Sequence, residues 1–239
     1  MPTALITGGA VRIGQALAQR LAHRGYNIAL HHGKSDPADT LAYLDCTMVT
    51  TKAYPCDLSD LSAVESLVES VKKDFDDLEI LVNCAANFIQ ENVETTSMET
   101  LDRTLNVNLK APFILMREFK RLVGCGQIVN ILDERIEKNI PTFAAYSVSK
   151  VGLAHLTKLA AVEWGETVRV NGIAPGLILP PQGQGPEYME KNKGNVPMNR
   201  HGSVDDLAKA LDYLLDSEFV NGEILFVDGG ESRGKKYNG

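Results

Sequence analysis

Tyr146 and Lys150 stand four residues apart in AAYSVSK, inside a stretch from Thr142 to Trp164 whose pattern predicts a helix, so both side chains fall on one face. An ammonium close to a phenol favours the phenolate and brings the hydroxyl toward a working pKa, so that it can give up its proton while a neighbouring atom is reduced. A tyrosine and a lysine at this spacing are also common on helices for structural reasons, and the pair gains meaning only from its surroundings. A second segment with chemical content is Thr7, Gly8, Gly9, Ala10, Val11, Arg12, Ile13 and Gly14. Glycines there let the backbone turn sharply and approach a pyrophosphate, while a following helix N-terminus supplies free N–H donors and a partial positive charge. A glycine loop alone is weak; its place after the first strand and before a helix gives it weight.

These residues need a scaffold, and the chain predicts one. Short apolar runs alternate with longer amphipathic stretches, the pattern of β-α units around a parallel sheet. The predicted strands are Thr3 to Thr7, Asn27 to His31, Val49 to Tyr54, Ile80 to Asn83, Gln127 to Leu132, Val168 to Ala174 and Glu223 to Val227. Helices are predicted at Arg12 to His23, Asp60 to Phe75, Met98 to Leu122, Thr142 to Trp164 and Val204 to Leu215, the last opening on Ser203 and Asp206 at capping-box spacing. The fold class expected is a Rossmann-type, doubly wound, seven-stranded parallel sheet with helices on both faces, in one domain over residues 1–239. Leu177 to Gly202, with PPQGQGP, reads as a mobile loop or substrate lid. Trp164 reads as packing, and Lys235 and Lys236 in the tail read as solvated.

At the end of the second strand stand His31, His32, Gly33, Lys34 and Ser35. Enzymes specific for NAD place an acid there to hold the ribose 2′-hydroxyl. A cation and a hydroxyl suit a 2′-phosphate instead, with Arg12 as a second charge, so the turn predicts NADPH. Lys34 by itself reads as a solvated loop lysine; the missing acid decides.

With 24 basic against 31 acidic residues, the formal charge of −7 disfavours a nucleic-acid or anionic-membrane surface and leaves a small molecule as the expected partner. The 4 cysteines are widely spaced and form neither a metal knuckle nor a disulfide framework, which reads as a cytoplasmic protein with reduced thiols and no metal. No apolar run approaches the roughly 18 residues of a membrane helix, and the N-terminus lacks a signal-peptide pattern.

Taken together, TGGAVRIG, Asp57 in CDLS, NCAA at 83–86, Asn108 in NVNLKAPF, YSVSK at 146–150 and NGIAPG at 171–176 resemble the short-chain dehydrogenase/reductase family along the whole chain. The resemblance implies that Gly8, Arg12, Ile13 and Gly14 line the phosphate loop, with His32, Lys34 and Ser35 near the ribose phosphate. It further implies that Asp57 holds the adenine, Asn83 and Ala85 line the cofactor, Pro175 and Gly176 place the nicotinamide, and Lys150 binds the nicotinamide ribose. Asn108 would carry a water relay, and a homotetramer is the common assembly.

Two departures narrow the resemblance. Thirteen positions before Tyr146, where the family has serine, stands Asp133, and Arg12 replaces a glycine. Both resemble the pteridine reductase and dihydromonapterin reductase branch, as do the turn with His31, Lys34 and Ser35 and an aromatic at Phe88. An anionic Asp133 would raise the tyrosine's pKa and oppose the lysine, an odd arrangement for ketone reduction. A protonated or proton-sharing carboxyl suits a ring C=N, whose nitrogen takes a proton as hydride reaches its carbon. The branch implies a catalytic set of Asp133, Tyr146, Lys150 and Asn108, and substrate contacts at Arg12, Phe88, Asp133, Tyr146 and Leu177, with the pterin stacked on Phe88. The function expected is NADPH-dependent reduction of a dihydropteridine of the dihydromonapterin, dihydrobiopterin or dihydrofolate type, within tetrahydrofolate metabolism. The alternatives are a carbonyl reductase, such as one acting on 3-oxoacyl thioesters, and a non-catalytic NADPH-binding module.

Overall fold

Apolar runs too short for helices and too continuous for an amphipathic sheet form the buried central strands of a parallel sheet, and less buried runs form its two edges. In the computed structural model, which describes residues 1–234, they are β1 (Thr3–Ile6), β2 (Asn27–His32), β3 (Thr51–Pro55), β4 (Leu78–Asn83), β5 (Gly126–Ile131), β6 (Val168–Pro175) and β7 (Ile224–Val227). They pair in parallel in the order β3-β2-β1-β4-β5-β6-β7. All seven predicted strands are present. Lys235 and Lys236 lie outside the described residues.

Alternation along the strands divides the core into two layers. Leu5, Leu81 and Ile128 join the layer under α3 (Leu61–Asp74) and α5 (Ala111–Leu122), while Ala4, Ile6, Ile80 and Val82 join the layer under α1 (Arg12–His23) and α8 (Val204–Asp216). The capping box of Ser203 and Asp206 opens α8 as its spacing predicts. Helices α2 (Ala38–Leu44) and α7 (Glu187–Asn192) are additions to the sequence reading. Each is short, with few buried positions, so little periodicity marks it.

The helix expected over Met98 to Leu122 is interrupted. Helix α4 (Met98–Leu105) passes through a widened π turn, Asn106–Lys110, into α5. Pro112, in the first turn of α5, has no N–H to give the Asn108 carbonyl, and its ring crowds the preceding turn. The wider turn carries Asn108 inward, where it is fully buried. Helix α6 (Ala144–Trp164) follows a short 3-10 turn at Pro141–Phe143.

The strand order reverses direction between β1 and β4, and the crevice at the carboxyl ends of these strands is where such sheets hold ligands. Over it runs the 177–202 segment, whose ends are tied by the Gly202 N–H donating to the Leu177 carbonyl at 3.0 Å. Its interior is structured: Ile178, Met189 and Val196 are buried, and Gly229 lies so close that a Cβ there would meet Val196 Cγ1 at 2.6 Å.

Candidate active site

The turn after β1 is built by close approach. Gly8 adopts φ +66°, and a Cβ on Gly14 would stand 2.1 Å from the Gly8 carbonyl oxygen. Thr7 Oγ1 receives the N–H groups of Cys84 and Ala85 at 2.9 and 3.1 Å, locking the end of β1 to the end of β4. Unlike α3, α4 and α8, which are capped by Asp60, Ser97 and Ser203, α1 has no side-chain cap and no acid in its first turn. Its free N–H groups therefore face the crevice with a partial positive charge. Ile13 packs half-buried against the α1 layer of the core. Arg12 takes a left-handed φ of +57° and reaches across to donate to the Pro180 carbonyl at 2.6 Å.

His31, placed by the sequence at the end of the second strand and in the turn beyond it, pins this loop. Its Nδ1 accepts the Gly8 N–H at 3.1 Å, and its Nε2 stands 3.0 Å from the Cys56 carbonyl, so the neutral ring must carry its proton on Nε2. Burial pushes the pKa from 6.5 down to about 4 against the pull of the Cys56 bond. The unfolded imidazole takes a proton below pH 6.5 that the folded one refuses, so stability falls as pH drops from about 6.5 to about 4 and is unaffected above that window. The loss should reach about 3 kcal/mol near pH 4. Urea denaturation across that range should show it, and His31→Gln should flatten the dependence; an equally steep acid loss in His31→Gln would assign it elsewhere.

His32 ends β2, Lys34 and Ser35 lie in the turn that follows it at the crevice edge, and Lys34 is exposed without an ion pair among the described residues. The nearest following acid, Asp36, is engaged by the Ala38 N–H at 2.9 Å at the start of α2. Asp57 accepts from Ser59 N and Oγ at 2.9 and 2.7 Å, bonds that hold its carboxyl below the ordinary range. Asn83 ends β4 with its side chain buried in the sheet, its Nδ2 donating to Asn130 Oδ1 at 2.8 Å, because the adjacent end of β5 offers it a polar partner. Ala85 lies against Gly8, where a Cβ would come 3.0 Å from the Ala85 Cα. Pro175 ends β6, and Gly176 follows so tightly that a Cβ would meet Asp228 at 2.7 Å. Leu177 is half-buried at the base of the covering segment.

Across the crevice, β5 ends beside the start of α6. The Tyr146 hydroxyl donates to Asp133 Oδ2 at 2.8 Å, and Asp133 Oδ1 accepts the Arg135 N–H at 3.0 Å. Lys150 Nζ donates to the Ile131 carbonyl at 2.6 Å, and it lies 5.7 Å from the Tyr146 ring centroid. The expected lowering of the phenol by the lysine is not what the geometry produces. Burial first, and then the charge and hydrogen bond of Asp133, drive Tyr146 well above its ordinary value. Burial also lowers Lys150 to about 8, opposed by Asp133 and Cys84, and pushes the Cys84 thiol up to about 12.

Asn108, expected to carry a water relay, spends its amide on protein. Its Oδ1 accepts the Asn87 N–H at 2.7 Å, and its Nδ2 donates to the Asn87 carbonyl at 2.9 Å and to Ser149 Oγ at 3.1 Å. The side chain thus fixes the turn that carries Phe88. Phe88 is 40% exposed, but one neighbour already stacks on it: Phe143, with centroids 4.4 Å apart and planes at 19°. Its ring also meets Tyr146 edge to face at 4.7 Å. Phe143 and Arg135 were not singled out by sequence. Phe143 precedes Tyr146 by about one helical turn, which is a readable signal; Arg135 sits in the charge run DERIEK and gives none.

The chain matches, over residues 9–232, a family model described as enoyl-(acyl carrier protein) reductase. It is 32% identical over 238 residues to a D-threitol dehydrogenase of Mycolicibacterium smegmatis, spanning 95% of this chain and 91% of that one. It is 33% identical over 242 residues to a 2-dehydro-3-deoxy-D-gluconate 5-dehydrogenase of Pseudoalteromonas atlantica, spanning 95% and 94%. Among solved structures, FolM alternative dihydrofolate reductase 1 from Brucella canis, complexed with NADP, superposes with a TM-score of 0.92 at 29% identity, over 99% of this chain and 96% of that one.

Proposed function

The chain belongs to the short-chain dehydrogenase/reductase family and is an oxidoreductase, and from that premise we propose that it reduces a dihydropteridine to the tetrahydro form with NADPH. The observation that carries this reading is the Asp133 carboxyl on the Tyr146 hydroxyl at 2.8 Å. An acceptor there complements the N–H groups that a pteridine presents and a ketone lacks. The similarity to a protein named as an alternative dihydrofolate reductase supports the same choice.

The residues present fit a dinucleotide. The uncapped start of α1, with no acid in its first turn, suits the pyrophosphate, and exposed Lys34 beside Ser35 suits a 2′-phosphate. Bound NADPH supplies the hydride. Tyr146 would pass its proton to the ring nitrogen, Asp133 orients the phenol, and Lys150, fixed by Ile131, would hold the nicotinamide ribose. The Asn108 carbonyl, without the helical donor that Pro112 lacks, is the atom of that residue suited to hold a relay water. The 177–202 segment acts as the lid, and Arg12 joins it to the phosphate loop through Pro180.

Purified protein should oxidise NADPH with dihydromonapterin, dihydrobiopterin or dihydrofolate, and should bind NADPH at least about tenfold tighter than NADH, a margin that Lys34→Ala narrows. Silence with every dihydropterin and dihydrofolate ends the substrate reading, and tighter NADH binding ends the cofactor reading. The dehydrogenase names of the sequence relatives favour a second reading, a carbonyl or sugar-alcohol oxidoreductase, so keto sugars and β-ketoesters belong in the same panel.

Self-association, with a homotetramer as the proposed form, is supported by Phe113 on α5 and by Val148, Val151, Leu159 and Val162 on α6, all exposed. Sedimentation as a monomer at micromolar concentration would remove it. Residence in the cytoplasm is proposed from cysteines that are all free. No helix among the described residues is long and apolar enough to cross a membrane.

A further inference from the structure

Arg135 has no part in the chemistry above, yet it is the cation placed against the phenol's partner. Its Nη1 stands 3.8 Å from Asp133 Oδ2, the oxygen that receives the Tyr146 hydroxyl. Its main-chain N–H holds Asp133 Oδ1 at 3.0 Å. Its guanidinium carbon lies 4.6 Å from the Phe143 centroid and 5.1 Å from that of Phe88, so it packs beside the stacked pair within cation–π reach of both rings. A flexible side chain is thereby held in one place.

The charged and titratable groups around Tyr146 come from each neighbouring element. The turn after β5 supplies Asp133, Glu134 and Arg135; α6 supplies Lys150; the end of β4 supplies Cys84, which faces Lys150. Glu134 is paired with Lys138 at 2.7 Å, and Lys138 also reaches Glu231 at 3.2 Å. Burial and both carboxyl groups push the phenol up; Arg135 acts in the opposite direction.

We propose that Arg135 is a positioning residue that offsets the Asp133 charge at the Tyr146 hydroxyl and so keeps the phenol able to release its proton. In that step the proton leaves Oη for the substrate's ring nitrogen, the electron pair of the O–H bond stays on the phenolate oxygen, and solvent water later returns the proton. The inference rests on Tyr146 being the proton donor, and it extends that reading to a side chain that acts on the phenol through Asp133.

The test places a difluorotyrosine, more acidic than tyrosine, at position 146 of the full chain and follows its ionisation by fluorine NMR. In Arg135→Gln the phenol should titrate about one pH unit or more higher than in the otherwise unchanged protein. Arg135→Lys, which keeps the charge, should recover roughly half of that shift or more. Arg135→Met, which keeps the stem against the rings, should behave as the glutamine variant does and serves if that variant fails to fold. A neutral variant that folds and titrates within about 0.3 unit of the parent, or below it, overturns the proposal. No substrate enters the titration, so an unmoved phenol removes the role of Arg135 alone, while a silent dihydropterin assay removes the substrate reading alone.

Discussion

Replacing Tyr146 by phenylalanine is expected to lower kcat for dihydropterin reduction by about a hundredfold to ten-thousandfold, the span of a well-placed general acid. The substitution removes one atom. The ring keeps its edge contact with Phe88 at 4.7 Å, and Lys150 keeps its bond to the Ile131 carbonyl at 2.6 Å, so the frame for NADPH survives. The dissociation constant of NADPH should therefore stay within about threefold of the parent, a change under 1 kcal/mol. Asp133 loses the donor on Oδ2 but keeps the Arg135 N–H on Oδ1, so the strand end is not left without partners. Fluorescence titration of NADPH with single-turnover reduction of dihydropterin separates the two quantities. A variant that retains more than about a tenth of the parent's single-turnover rate would mean that the proton comes from elsewhere.

The scaffold was more legible than the chemistry it carries. Parallel strands buried on both faces must be apolar runs, and that constraint prints β1, β4, β5 and β6 into the sequence, while the edge strand β3, TKAYP, with only Tyr54 buried, shows it least. Helix periodicity does not register a π turn, so Met98 to Leu122 reads as one helix; Pro112 is the local signal that it is two. Asp133 could be paired with Tyr146 because a family register sets them thirteen residues apart, and the structure joins them at 2.8 Å. Arg135 had no such register. In DERIEK it looks like one charge of a solvated run, and only the stacking of Phe88 on Phe143 gives it a fixed place. Spacing shows that Tyr146 and Lys150 share a helix face, but not how deeply the phenol is buried or what accepts its hydroxyl, and burial together with Asp133 is what drives it up.

Asp133→Ser should move two activities in opposite directions. The carboxylate raises the Tyr146 pKa by its charge and by accepting the hydroxyl, so a neutral serine lowers it and makes the phenol a stronger acid near neutral pH. A ketone needs only that acid, and its reduction should hold steady or improve. A dihydropteridine also loses an acceptor matched to its ring N–H groups, and leaving such donors unmet in a buried site is worth a discrimination of about a hundredfold or more. Asp133→Asn separates charge from shape: it keeps the size of the side chain, removes the anion, and should track serine if charge is what matters. The measurement is kcat/KM for one dihydropterin and one keto substrate in the parent and both variants, with NADPH saturating. A drop for the pterin beside an unchanged or higher value for the ketone ties the carboxyl to nitrogen-heterocycle chemistry. Equal, small changes for both substrates would leave Asp133 a structural anchor for the turn at Arg135, and the pteridine assignment would lose its footing.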